Sequence, residues 1–270
     1  MTGHHLTRAL LALATFTLTA TARAEAPPAE RILPNDTLAM MSVPDWQALC
    51  DVQSRSPQLQ LWKDPLLKPF RDHFISKWKE EVVKPLEQEL GVRFEDYKGL
   101  IQGQLTLALI QNDWDADGEN QPGWVILFDS GNRSEKLAAN LADLRKQWVD
   151  KGKTLRTEDV RGVEFSVVQL STNDLPDTLR KFMPGASDVQ ELTGEEPSAP
   201  ERRELFVGQS GSLLIAVNSL TTAQKVMKRL TGGSLPPLAE LEQFSQDQAR
   251  LFRKAHSYGW VNTSKLLDIF

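Results

Sequence analysis

Gly123-Trp124-Val125-Ile126-Leu127-Phe128-Asp129 is an apolar run that ends on an acid and passes at once into an amphipathic helical pattern opening at Asn132. It reads as a central strand handing over to a helix. The same hand-over recurs along the chain. Residues 38–43 pass into Pro44-Asp45, residues 213–217 into Asn218-Ser219, and residues 258–261 into Asn262-Thr263. Asp, Asn and Ser accept hydrogen bonds from the first N–H groups of a helix, so each junction predicts a strand, a cap and a helix. Pro44 suits the first turn of its helix, where a missing N–H costs nothing. None of the four junctions carries a group suited to catalysis.

Hairpins are expected on both sides of the central strand. Leu105, Leu107 and Leu109 alternate with Gln104, Thr106 and Ala108, the period of a half-buried strand, and the polar loop 112–122 joins that strand to the central one. Residues 155–159 and 163–170 flank Arg161-Gly162; residues 204–208 and 212–217 flank Gln209-Ser210-Gly211. Both read as further hairpins.

The helices follow from period and punctuation. Asn132, with Glu135 three residues on, is a variant of the capping box, and Leu137, Leu141, Leu144 and Trp148 mark a buried face ended by Gly152. Asp64-Pro65 opens a long helix on which Phe70, Phe74, Trp78, Val82, Leu86 and Leu90 recur every fourth residue. That stripe predicts a helix wrapped on a curved sheet surface, kinked by Pro85 and ended by Gly91. Residues 94–101 form a short helix. Leu220, Ala223, Met227 and Leu230 define another, closed by Gly232-Gly233, and two shorter ones cover roughly 238–246 and 247–255. The expected class is α+β: an antiparallel-rich mixed sheet built from hairpins, with long amphipathic helices packed on one face.

The chain has 270 residues, a net charge of -5, 40% hydrophobic residues and one cysteine, an ordinary globular composition. The acidic balance excludes nucleic acid as a partner, since phosphate binding needs a concentrated basic surface. Lys77, Lys79 and Lys84 alternate with Glu80 and Glu81 and read as a solvated helix face. At the N-terminus, Arg8 precedes an apolar run from Ala9 to Ala20, and Ala22-Arg23-Ala24 supplies the small residues of a cleavage site. This is the pattern of a signal peptide. The run is shorter than the roughly 20 residues a bilayer span needs, and no later stretch is long and apolar enough. An exported protein is expected, periplasmic or secreted, with no transmembrane segment after cleavage. Residues 1–24 are then the signal peptide and 25–33 a loose Pro/Ala/Glu-rich leader; residues 34–270 form the domain, with 171–203 a loop insertion. Cleavage removes Arg8 and Arg23 and takes the net charge from -5 to -7. Cys50 has no partner for an intramolecular disulfide and, beside Trp46 and Leu49, reads as a buried small hydrophobe. Leu266-Leu267-Asp268-Ile269-Phe270 is amphipathic with no stop signal, which reads as the N-terminal part of a longer protein.

Leu33-Pro34-Asn35-Asp36-Thr37, Pro44-Asp45, Leu61-Trp62-Lys63-Asp64-Pro65, Gly103-Gln104-Leu105 and Val261-Asn262 together resemble a group of large exported bacterial proteins known only as a domain of unknown function. The likeness spans most of residues 33–270. It implies a longer chain in which a mixed α+β unit recurs, and it brings no catalytic residues.

The best local motif for chemistry is Asp113-Trp114-Asp115-Ala116-Asp117-Gly118-Glu119. Carboxylates at alternate positions before a glycine match the first half of a calcium loop. Asp113, Asp115, Asp117 and Glu119 are therefore the candidate calcium ligands; Trp124 stands where the loop's bidentate Glu belongs, and the flanks are strands. The bland alternative is a solvated acidic hairpin loop. His73 and His256, the histidines outside the signal peptide, lack zinc-ligand neighbours. Gly208-Gln209-Ser210-Gly211-Ser212 is a hairpin turn, not a nucleophile elbow, because a strand follows it. Trp78 and Trp148 fall on buried faces by periodicity, whereas Trp114 is the one expected at the surface. The residues point to a non-catalytic binding or envelope-associated protein with an envelope or extracellular partner. An extracytoplasmic hydrolase with a carboxylate-based site, or a weak calcium-binding module, is the alternative. Two acids converging in a cleft would favour the enzyme; a flat apolar patch would favour the binder.

Overall fold

The computed structural model describes residues 26–114, 122–171 and 202–269. Its strands are β1 (Thr37–Val43), β2 (Leu105–Ile110), β3 (Gly123–Asp129), β4 (Leu155–Val160), β5 (Val163–Ser171), β6 (Arg202–Ser210), β7 (Leu213–Val217) and β8 (Tyr258–Val261). They form one sheet in the order β4-β5-β6-β7-β3-β2-β1-β8, with every neighbouring pair antiparallel. The central run lies between β2 and β7, and the α+β class stands. The β4–β5 hairpin turns on Arg161 and Gly162, both left-handed at φ 57° and 82°, the geometry a two-residue turn needs to match strand twist. β5 and β6 pair out to Ser171 and Arg202, so the expected insertion leaves and re-enters between adjacent strands. The insertion, the signal peptide and the calcium ligands Asp115, Asp117 and Glu119 lie outside the described residues.

The helices are α1 (Ala29–Ile32), α2 (Trp46–Ser54), α3 (Pro57–Trp62), α4 (Lys68–Trp78), α5 (Lys84–Leu90) and α6 (Phe94–Tyr97). Further along the chain come α7 (Ser134–Asp150), α8 (Leu220–Leu230), α9 (Glu242–Asp247) and α10 (Thr263–Ile269). Three of the four strand-to-helix junctions are capped as the residues suggest. Asp45 accepts from Ala48 N, Ser219 from Thr222 N and Asn262 from Lys265 N. Pro44 lies before the Asp45 cap, outside the helix. At the β3 junction Asp129, not Asn132, makes the turn, accepting from Gly131 N; a tight turn over Gly131–Arg133 then delays α7 to Ser134.

A single row explains the main core. Val167, Phe206, Val217, Val125, Ala108, Met40 and Trp260 lie in register across the sheet and all are buried. Ala223, Val226 and Met227 of α8, Ile32 of α1 and Phe244 of α9 cover this face. On the opposite face α7 lays Leu137, Leu141, Leu144 and Trp148 over Val168, Leu205, Val207, Leu214 and Ala216. Helices therefore occupy both faces, where periodicity alone places them on one. α7 covers only part of its face: the register row running from Val207 and Ala216 through Ile126 reaches Leu107 and Met41, and those two are exposed.

Two expectations are overturned here. The leader is not loose: Ala29, Ile32 and Leu33 are buried, and Gln104 Nε2 donates to Pro27 O at 2.8 Å. β2 is inverted relative to its leucine pattern. Thr106, Ala108 and Ile110 point into the main core, whereas Leu107 faces solvent. The small Thr106 fits there because its hydroxyl pairs with that of Ser42 at 2.8 Å, which removes the cost of burying either one.

Candidate functional site

The first half of the expected apolar stripe of residues 70–90 does not wrap the sheet, whereas Leu90 at its end packs against the α7 side of the core. Among the described residues, α2, α3 and α4 bury no side chain, and with the wide turn that follows they form an arm over residues 46–83. Local chemistry builds each segment. Asp45, Ser56 and Asp64 cap their helices through Ala48 N, Leu59 N and Leu66 N, and Pro57 and Pro65 sit in first turns, where proline is tolerated. The arm ends in a π-turn over Lys79–Val83, with Lys84 alone between it and Pro85. Proline has no N–H to donate and its ring crowds the carbonyl of the preceding turn, which widens the helix there. The arm is anchored at both ends. Trp46 N donates to Gly103 O at 2.8 Å. Past its far end, Trp148 Nε1 donates to Leu90 O and Lys151 Nζ to Gln88 O, while Gly91, left-handed at φ 69°, ends α5 against the Trp148 ring.

An aromatic cluster rigidifies the arm without hiding it. Trp62 packs edge-on against Phe70 and Phe74 at centroid distances of 6.1 and 6.0 Å, and the two phenylalanines stack at 6.4 Å. Arg71 Nη1 donates to Trp62 O at 2.8 Å and fastens α3 to α4. Yet Leu66 is 88% exposed, Phe70 60%, Phe74 50% and Trp78 53%. The stripe is legible in sequence, but its first half faces solvent, and Trp78 is not buried as its spacing suggests; Val82 is buried and Leu90 packs against the core under α7. Cys50 on α2 is exposed as well, not a buried hydrophobe. Trp148 is buried as expected, and Trp114 is half-buried rather than at the surface.

The other feature is a pair of clefts sharing one acid. A cavity of about 730 Å³ lies between the leader, the start of β2 and the segment after α9, lined in part by Glu30, Ser42, Gln104, Asp129 and Tyr258. A second of about 720 Å³ lies on the far side of Asp129, toward Ser134 and Glu135. Both carboxylates of the first cleft are held by the fold. Glu30 accepts from Gln248 Nε2 at 2.5 Å and from the Tyr258 hydroxyl at 3.4 Å; Asp129 Oδ1 accepts from Gly131 N at 2.9 Å. Burial first, and the Glu30 charge second, push the Tyr258 phenol above its usual range. Gly103 is needed beside this acid, because a Cβ there would meet Asp129 Oδ2 at 2.4 Å. Among the described residues no histidine lines either cleft.

Of the candidate calcium ligands only Asp113 is described. It is exposed and left-handed at φ 60°, following Asn112 at φ 49°, conformations that Asn and Asp tolerate better than most residues. Among the described residues no group of three or more His, Cys, Asp and Glu side chains is placed to hold a metal ion, and no helix is long and apolar enough to cross a membrane. Comparison with protein-family models, curated proteins and solved structures finds no match for this chain.

Proposed function

We propose that this is an exported, non-catalytic binding protein of the cell envelope, and that it engages its partner through the helical arm of residues 46–83. One observation carries the reading: the arm holds an ordered aromatic cluster with Phe70, Phe74 and Trp78 turned to solvent. Contiguous apolar surface of this kind is costly to leave in water and marks interaction sites. The signal-peptide pattern at residues 1–24 supports an envelope setting. In the test, mature protein is co-sedimented with native envelope fragments. Wild type should sediment with them, and the triple variant F70S/F74S/W78S should lose roughly tenfold in binding with an unchanged circular dichroism spectrum. Equal binding by the variant, or none by wild type, contradicts the proposal.

A second reading rests on Glu30 and Asp129 lining one cleft. Two acids across a cleft are the minimum for a carboxylate-based hydrolase. Hydrolysis of an envelope polymer by wild type, abolished in Asp129→Asn with the fold intact, would establish it in place of the non-catalytic reading.

A further inference from the structure

We propose that the arm docks on an anionic lipid surface; this rests on the binding reading above and names its partner. The charge of the arm's middle stretch runs against that of the chain. Residues 55–79 hold six Lys or Arg and two acids, within a chain whose net charge is -5. Both acids are already engaged locally: Asp64 caps its own helix through Leu66 N, and Asp72 is bonded to Lys68 Nζ at 2.8 Å, which holds its carboxyl below the usual range. The flanking stretches of the arm add Asp51, Glu80 and Glu81 and no base; Lys77 pairs with Glu81 at 3.3 Å, and Lys63 and Lys79 make no ion pair among the described residues. Basic and apolar groups are interleaved in the way an interface requires. Lys77 and Lys79 stand a quarter-turn to either side of Trp78, and long lysine stems let ammonium groups rise to phosphate level while the ring sinks below it. A short helix with Trp, Phe and Leu on one side and Lys and Arg beside them lies in the plane of a bilayer rather than across it.

The geometry favours a lipid surface over a protein groove. A groove that receives a helix reads anchors on one helix face. Here the exposed apolar groups come from three successive segments: Leu61 on α3, Leu66 in the turn that follows, and Phe70, Phe74 and Trp78 on α4. A fluid surface accepts all three at once.

The test mixes mature protein with vesicles of phosphatidylcholine alone or of phosphatidylcholine with phosphatidylglycerol, alongside native envelope fragments. The anionic vesicles should bind at least roughly tenfold more tightly than the neutral ones. That preference should collapse between about 0.1 M and about 1 M salt, as the screening length falls from about 10 Å to about 3 Å. Phe70→Ser with Phe74→Ser should remove binding to anionic vesicles, and Lys63→Gln with Lys77→Gln and Lys79→Gln should remove the preference for them. Equal affinity for both vesicle types overturns the proposal. So does binding to native envelope without binding to any vesicle, which leaves the arm as a protein-docking surface and the binding reading intact. Binding to neither envelope nor vesicles removes both.

Discussion

Tyr97 and Tyr258 are the only tyrosines of the chain, and both phenols resist ionisation. Burial raises Tyr97 to about 12, with Asp96 and Asp143 adding to the shift; burial and Glu30 raise Tyr258. A phenol whose folded value lies above its unfolded value of about 10 stabilises the fold fully below that pH, and the contribution is lost as pH rises through the folded value. A spectrophotometric titration should therefore show little phenolate at about pH 11, then both phenolates appearing together with loss of circular dichroism; ordinary titration near 10 in a folded protein would contradict this. Cys50 should react with a maleimide in the native protein, because it lies exposed on the arm; a thiol released only by denaturant would show that the arm is packed away. Gly208 is constrained by contact, since a Cβ there would meet the buried Phe165 ring at 2.8 Å. Gly208→Ala should cost about 1–3 kcal/mol in urea unfolding; a neutral substitution would mean that the ring has room to move. At this scale the caps Asp45, Ser219 and Asn262 are legible in sequence because capping is a local hydrogen bond. The roles of Asp129 and Gly103 are not, because they depend on two segments meeting in space.

The strands are readable because a buried strand writes its apolar run along the chain, as Gly123–Asp129 does on both faces at once. β2 misleads because its leucines alternate cleanly while its partner face is built from small residues that fill the core by register: Ala108 lies between Met40 and Val125. The stripe on α4 misleads for a related reason. A four-residue spacing states that a helix has an apolar side, but it does not state that the chain itself covers that side. This distinction has a measurable consequence. Phe165→Ala removes a fully buried ring and should destabilise by about 3–5 kcal/mol, whereas Phe70→Ser loses only its half-exposed contacts with Trp62 and Phe74 and should cost about 1 kcal/mol. Similar losses in the two variants would place Phe70 in a core and remove it from the binding surface.

Taken whole, the molecule sets a sheet between two unequal covers and leaves a hydrophobic arm outside both. The body carries the stability, through the row from Val167 to Trp260 and the α7 cover opposite. The arm carries the proposed function, held in place by Gly103 at one end and by Trp148 and Lys151 beyond the other. Hydrogen exchange of mature protein, alone and with envelope membranes, tests that division most directly, because backbone protection reports which segments are covered. The account predicts that membranes slow exchange across residues 57–83 and leave the sheet and both clefts unchanged. Protection centred on the Asp129 clefts, with the arm exchanging as it does in the free protein, would contradict it.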